Sequence, residues 1–129
     1  MTATNIILYL IFGGIIFLYL NRFHMKRFVP QLSAAEVSNK IQLREPVILL
    51  DVRTEAEHHS GHIKGSLHIP LHELSSRSGE LSKHKDKEII CYCQSGSRSV
   101  SATAMLQKDG YHAYNMDGGI SEWNFLRLR

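Results

Sequence analysis

With 129 residues the chain has room for one domain and little more. Its 15 Lys and Arg exceed its 12 Asp and Glu by three, and Arg22, Lys26 and Arg27 account for that excess. The remainder is neutral, so the basicity does not point to nucleic acid. Two cysteines, Cys91 and Cys93, are too few for a disulfide framework or a four-ligand structural zinc site.

The first 21 residues carry no charged side chain, and Ile6 to Leu20, IILYLIFGGIIFLYL, is continuously apolar. As helix, Met1–Leu20 would be a rod of about 30 Å, the thickness of a bilayer's hydrocarbon core. A cleavable signal would need a charged start and a small-residue cleavage site, whereas this run starts MTATN and ends FLYLNRFHMKRF. A buried core helix apolar on every face would need a larger protein around it. The pattern therefore predicts a transmembrane helix over 1–21, with Tyr9 and Tyr19 near the interfaces. A basic juxtamembrane linker over 22–30 suits anionic lipid, and a folded domain follows over 31–129. By the positive-inside tendency this is a single-pass arrangement with a short N-terminus outside and the C-terminal domain in the cytoplasm, at the inner membrane if the source is bacterial. Both thiols are then expected to be reduced.

Val29-Pro30 closes the linker. SAAE at Ser33–Glu36 has the form of a capping box that opens an amphipathic helix through Leu43, and Pro46 stops it. VILLDV, Val47–Val52, reads as a strand buried on both faces. TEAEHHSGH is a brief helix ended by Gly61, and GSLHIP a short strand ended by Pro70. Leu71–His84 predicts one or two short helices with a break near Gly79. EIICYC is the next strand, and Ser97–Lys108 a helix with Val100, Ala104 and Met105 toward the sheet and Gly110 at its end. HAYNM is a last strand, DGG a turn, and Ile120–Leu128 a final helix carrying Trp123 and Phe125. Alternating strands and helices predict an α/β fold, a parallel sheet flanked by helices. Ligands in such sheets gather beyond the carboxyl ends of the strands, where Asp51–Arg53, Cys93–Arg98 and Asp117–Gly119 all fall.

In CQSGSR the spacing is C-x4-R, and the loop leads straight into a helix. Converging backbone N–H groups above a helix N-terminus form an anion cradle. A thiol in that cradle ionises more easily, which makes Cys93 a candidate nucleophile. Gln94, Ser95, Gly96 and Ser97 would hold the bound anion. Gly96 lets the backbone curl, and Arg98 can close or brace the ring. Cys91, inside the strand, is expected to be an inert buried thiol.

CQSGSRS, DVRTEAEHHSGHIKGSLHIP and DGGISEW, in this order over Ser33–Trp123, resemble the single-domain rhodanese family. The resemblance implies a rhodanese-like α/β fold and a sulfurtransferase. Cys93 matches the cysteine that takes sulfane sulfur from a small donor anion such as thiosulfate, or from a persulfide, and passes it to cyanide or a thiol. Gln94–Arg98 match the loop that holds the persulfide. Asp51 and Arg53 match a bracing strand-end pair, and Gly61, His62 and Gly65 a structural turn. Related phosphatases carry one more residue between cysteine and arginine, so phosphatase or arsenate reductase chemistry, with Asp117 as its general acid, is a minor alternative. The departures are Gln94, where many relatives have a basic residue, so that attraction for doubly charged thiosulfate is expected to be weaker, and His58, where they usually have Phe or Tyr, which reads either as a satisfied semi-buried imidazole or as a sign of a looser region.

Of the eight histidines, His58 and His62 are four apart, but Gly61 is expected to break the helix between them. The histidines therefore read as solvated loop residues, with no metal site and no cofactor implied. KHKDK, Lys83–Lys87, reads as a solvated loop. The remaining alternative is a membrane-tethered, non-catalytic binding module. The sequence names no protein partner.

Overall fold

The computed structural model describes the backbone of all 129 residues and every side chain except those of Arg22, Met25, Lys26, Arg27 and Phe28. Helix α1 spans Ala3–Phe28, so it continues through most of the segment expected to be a linker. Its stretch Ala3–Asn21 is 19 residues long with a mean hydropathy of 2.1, and none of its most apolar window is buried in the protein, which makes it a candidate membrane span. An apolar rod with no protein face to cover it matches the hydrocarbon solvent of a bilayer.

Five parallel strands form the sheet: β1 (Gln31–Leu32), β2 (Val47–Asp51), β3 (Leu67–His68), β4 (Glu88–Tyr92) and β5 (His112–Met116), in the order β1-β5-β4-β2-β3. The central strand β4 pairs in register with β2 from Val47↔Glu88 to Asp51↔Tyr92, and with β5 from Glu88↔His112 to Cys91↔Asn115. Because side chains alternate along a strand, β4 splits its residues between two cores. Ile89 and Cys91 pack with Leu74, Leu81, Ala102 and Leu106 on one face. Ile90 and Tyr92 pack with Val37, Ile63, Ile120 and Trp123 on the other.

The helices follow from these faces. Helix α2 (Ala34–Gln42) starts at the expected capping box, Ser33 accepting from the Glu36 N–H at 3.1 Å while Glu36 accepts from the Ser33 N–H at 2.7 Å. It lies with α6 (Gly119–Phe125) on the second face, where Trp123 is buried and Phe125 exposed. Helices α4 (Leu71–Arg77) and α5 (Arg98–Lys108) cover the first face. A 3₁₀ segment, Ser78–His84, takes over from α4 directly, so the tightening comes at Ser78 and Gly79 lies inside that segment. The buried side of α5 is Ser99, Val100, Ala102, Thr103 and Leu106. Of the residues expected to face the sheet, Val100 is buried and Met105 packs, half-buried, against the first core, but Ala104 is only half-buried, because the stripe is set by the i, i+3, i+4, i+7 positions counted from Ser99. Helix α3 (Glu55–Ser60) keeps some exposure at every side chain. It lies beyond the end of β2, at the carboxyl edge of the sheet.

Candidate active site

Strand β4 delivers Cys93 to the carboxyl edge, and the chain curls over it through Gln94–Ser97 before α5 begins at Arg98. The curl needs φ of 94° at Gly96, and a Cβ there would stand 3.0 Å from the Gly118 amide nitrogen. Only glycine meets both conditions without strain. The loop is pinned from three sides. Asn115 donates to the Gly96 carbonyl at 3.2 Å and to Gln31 at 2.7 Å. The Ile120 and Ser121 amides donate to the carbonyls of Cys93 and Gln94 at 2.9 and 3.1 Å. Gln94 itself donates to Ser121 Oγ at 2.9 Å.

Curled in this way, the loop turns donors onto sulfur. Cys93 Sγ accepts the Gly96 N–H at 3.1 Å and the Ser99 hydroxyl at 3.3 Å. Burial pushes the thiol up, but the Ser99 hydroxyl and the backbone amides of Ser99, Gly96 and Ser95 outweigh it and hold the thiol below its ordinary value. Cys91, two residues back, is fully buried in the first core and is pushed up to about 12 by that burial. The same strand thus holds one thiol prepared to ionise and one prevented from it.

The end of β2 carries a second polar centre. Asp51 is fully buried and Arg53 is 3% exposed. Arg53 donates to both carboxylate oxygens, at 2.8 and 3.0 Å, and its Nη2 reaches the Gly61 carbonyl at 2.6 Å. Arg53 Nη1 approaches Gln94 Oε1 at 3.4 Å, so the pair ties the cysteine loop to the turn after α3. Burial raises the Asp51 carboxyl, but the Arg53 and His58 hydrogen bonds bring it below its usual range.

His58 meets Asp51 Oδ2 through Nδ1 at 2.9 Å and lies between two other imidazoles, His62 at 3.8 Å and His68 at 4.2 Å between centroids, all nearly parallel. The expectation of solvated histidines therefore fails for His68, which is half-buried, while His58 is the satisfied, half-buried imidazole that was one of its two readings. His62 Nδ1 donates to the His58 carbonyl and His68 Nε2 to the Arg53 carbonyl, at 2.9 and 2.8 Å. Gly61 does break the helix, and the turn it makes is what folds His62 back onto His58.

Arg98 is held by α3. Its guanidinium forms a two-pronged pair with Glu57 of α3, both contacts at 2.9 Å. The Arg98 hydrogen bonds lower the Glu57 carboxyl to about 2. Glu57 also closes a capping box with Thr54, its Oε2 accepting the Thr54 N–H at 2.9 Å. The T-x-x-E pattern in TEAE was a readable sign of that cap, but not of the pairing with Arg98. Ser99 was equally missed, its hydroxyl being only one of several serines in the sequence. Beside Arg98 opens a cleft of about 310 Å³ with Val52, Thr54, Pro70, Leu71 and His72 on its walls. Asp117 lines a different crevice, together with Ser95, Gly118 and Glu122.

Comparison with known proteins agrees with this architecture. Residues 33–125 match the family described as "Rhodanese-like domain". A protein named "Sulfurtransferase" from Allochromatium vinosum is 36% identical over 96 residues, covering 74% of this chain and 88% of that protein. The Bacillus subtilis protein YqhL is 33% identical over 122 residues, covering 93% of each chain. The crystal structure of a rhodanese-related protein from Thermoplasma volcanium superposes with a TM-score of 0.71 at 29% identity, covering 78% of this chain and 95% of that one.

Proposed function

Because this chain belongs to the rhodanese-like domain family, we propose that it is a sulfurtransferase that carries sulfane sulfur on Cys93. The observation that supports this most directly is the convergence of the Gly96 amide and the Ser99 hydroxyl on Cys93 Sγ, which stabilises a thiolate in a buried place. With thiosulfate, the thiolate attacks the outer sulfur, the donor's S–S bond breaks, and sulfite leaves with the bonding pair. The product, Cys93–S–S⁻, keeps its negative charge under the amides of Ser95, Gly96 and Ser99. Cyanide or an acceptor thiolate then attacks the outer sulfur, takes it as thiocyanate or a persulfide, and returns Cys93 as thiolate. Gln94–Arg98 shape the cradle, and Asp51 and Arg53 keep the sheet edge rigid beneath it.

In the same proposal α1 is a membrane anchor. Residues 1–21 span the bilayer, 22–30 lie at its surface as a helical continuation and short connection, and 31–129 form the catalytic domain on the cytoplasmic side. Tethering raises the effective concentration of the persulfide for anything held in the same membrane. Carbonate extraction of membranes followed by protease accessibility tests this part, and release by carbonate would refute it.

The chemistry is tested by intact mass of the full chain in detergent after brief incubation with thiosulfate or with a small organic persulfide. The expected gain is one sulfur atom, removed by cyanide or dithiothreitol and absent in Cys93→Ser. A folded protein that gains no sulfur from either donor would refute the proposal.

A further inference from the structure

The electrostatics of the site's mouth differ from what a sulfur oxyanion requires. Among the described residues lining the cysteine loop and the adjoining cleft, the guanidinium nearest the surface is Arg98, and Glu57 neutralises it with a two-pronged pair. The other guanidinium, Arg53, is paired with Asp51 and only 3% exposed, where it lines a crevice of about 300 Å³ beside Gln94. The position after the nucleophile is Gln94, whose amide is uncharged and directed to Ser121 and Arg53. Attack on thiosulfate gathers three negative charges beneath the loop, one from the thiolate and two from the donor, and among the described residues of the loop and cleft both guanidiniums are already paired with carboxylates. Attack on an organic persulfide gathers fewer, two with R–S–S⁻ and one with R–S–SH, the form that reacts: Cys93–S⁻ takes the outer sulfur with its hydrogen, the donor's S–S bond breaks, and R–S⁻ leaves with the pair. The cleft beside Arg98 offers the R group a place, since Val52, Pro70 and Leu71 give it carbon walls and about 310 Å³ of room. It shares Arg98 with the loop, and Val52 packs in the same core cluster as Cys93.

We infer that this site takes its sulfur from an organic persulfide with an apolar arm rather than from a sulfur oxyanion, and that Glu57 is the residue that sets the preference. The inference rests on the sulfurtransferase reading and narrows it.

The test measures kcat/KM for sulfur loading of the full chain in detergent at pH 8. The donors are thiosulfate and the ethyl, butyl and 2-phenylethyl persulfides. Loading should climb with the arm, by up to about fourfold for each methylene that enters the cleft. The 2-phenylethyl persulfide should exceed thiosulfate by about tenfold or more, and Glu57→Gln, which frees Arg98, should raise the thiosulfate-to-persulfide ratio by about tenfold. Thiosulfate matching the persulfides in the wild type, or an unchanged ratio in a folded Glu57→Gln, overturns the inference. Should that variant not fold, the salt dependence of the wild type decides. A neutral mouth leaves thiosulfate loading within about twofold between 0.02 and 0.3 M salt, and a steep fall with salt reveals a cationic mouth and overturns it. Loading by thiosulfate alone refutes the inference while leaving the sulfurtransferase reading intact; loading by no donor refutes both.

Discussion

Replacing Ser99 by alanine removes one donor from Cys93 and nothing else that touches sulfur. Ser99 is fully buried, so no water takes the place of its hydroxyl. A hydrogen bond to a charged group contributes about 1.5–3 kcal/mol, and a 3.3 Å contact to a diffuse sulfur belongs at the lower end. At 1.36 kcal/mol per unit, about 1.5 kcal/mol corresponds to a rise of about one pK unit in the Cys93 thiol. The direction is upward because the hydroxyl stabilises the thiolate and not the thiol. The backbone amides of Ser95, Gly96 and Ser99 stay in place and limit the shift. The assay is the rate of alkylation by iodoacetamide as a function of pH, on the full chain in detergent. Cys91 does not interfere, since burial pushes it up to about 12. An inflection unchanged to within about 0.2 units, in a variant with native circular dichroism, would refute the claim that the Ser99 hydroxyl tunes the nucleophile.

Three further outcomes are expected. Cys91→Ala should keep sulfur loading on Cys93 and cost about 1 kcal/mol in urea unfolding, as a small buried truncation; loss of loading equal to that in Cys93→Ser would reverse the roles of the two thiols. Gly119→Ala should destabilise by about 3 kcal/mol or more, read from the urea midpoint. With φ at 59°, its Cβ would meet the Cys93 carbonyl and lie 2.6 Å from that of Gln94, and an unchanged midpoint would show that α6 can retreat from the loop. The third concerns acid. Glu57 is lowered to about 2 by Arg98, so its contribution to stability is complete above its ordinary value of 4.5 and is lost as pH falls through about 2. The urea midpoint of the wild type should therefore fall more steeply between those values than that of Glu57→Gln, and parallel curves would mean that the pair does not form in solution.

The elements that could be read from the chain alone are those specified by neighbours in sequence. VILLD and EIICY are apolar runs of branched residues that suit a sheet covered on both faces, and SAAE carries both halves of a capping box within four residues. The approximate position of the site follows from the same pattern, because a polar glycine loop between a strand and a helix lies at the carboxyl edge of a parallel sheet. Resemblance added the chemistry assigned to C-x4-R. The continuation of α1 to Phe28 was missed because charged residues end a membrane span without ending a helix. The buried side of α5 was legible only in part, at Val100 and Met105, because alanines suit either side, and packing against β4 and β5 added Ser99, Ala102, Thr103 and Leu106.

Tertiary structure alone decided the partners. Arg98 and Glu57 are 41 positions apart and meet only because α3 and α5 begin at the same edge of the sheet. The three histidines stack because the end of β2 places Asp51 under His58, while the Gly61 turn and β3 bring His62 and His68 to either side of it. Asn115 reaches Gly96 and Gln31 from a strand that sequence order alone does not place between β1 and β4. Local propensity specifies which segments are helix or strand through forces that act over a few residues. The charge state of the site's mouth depends on which side chains from distant segments are brought within about 3 Å of one another, and that is settled only when the sheet order closes.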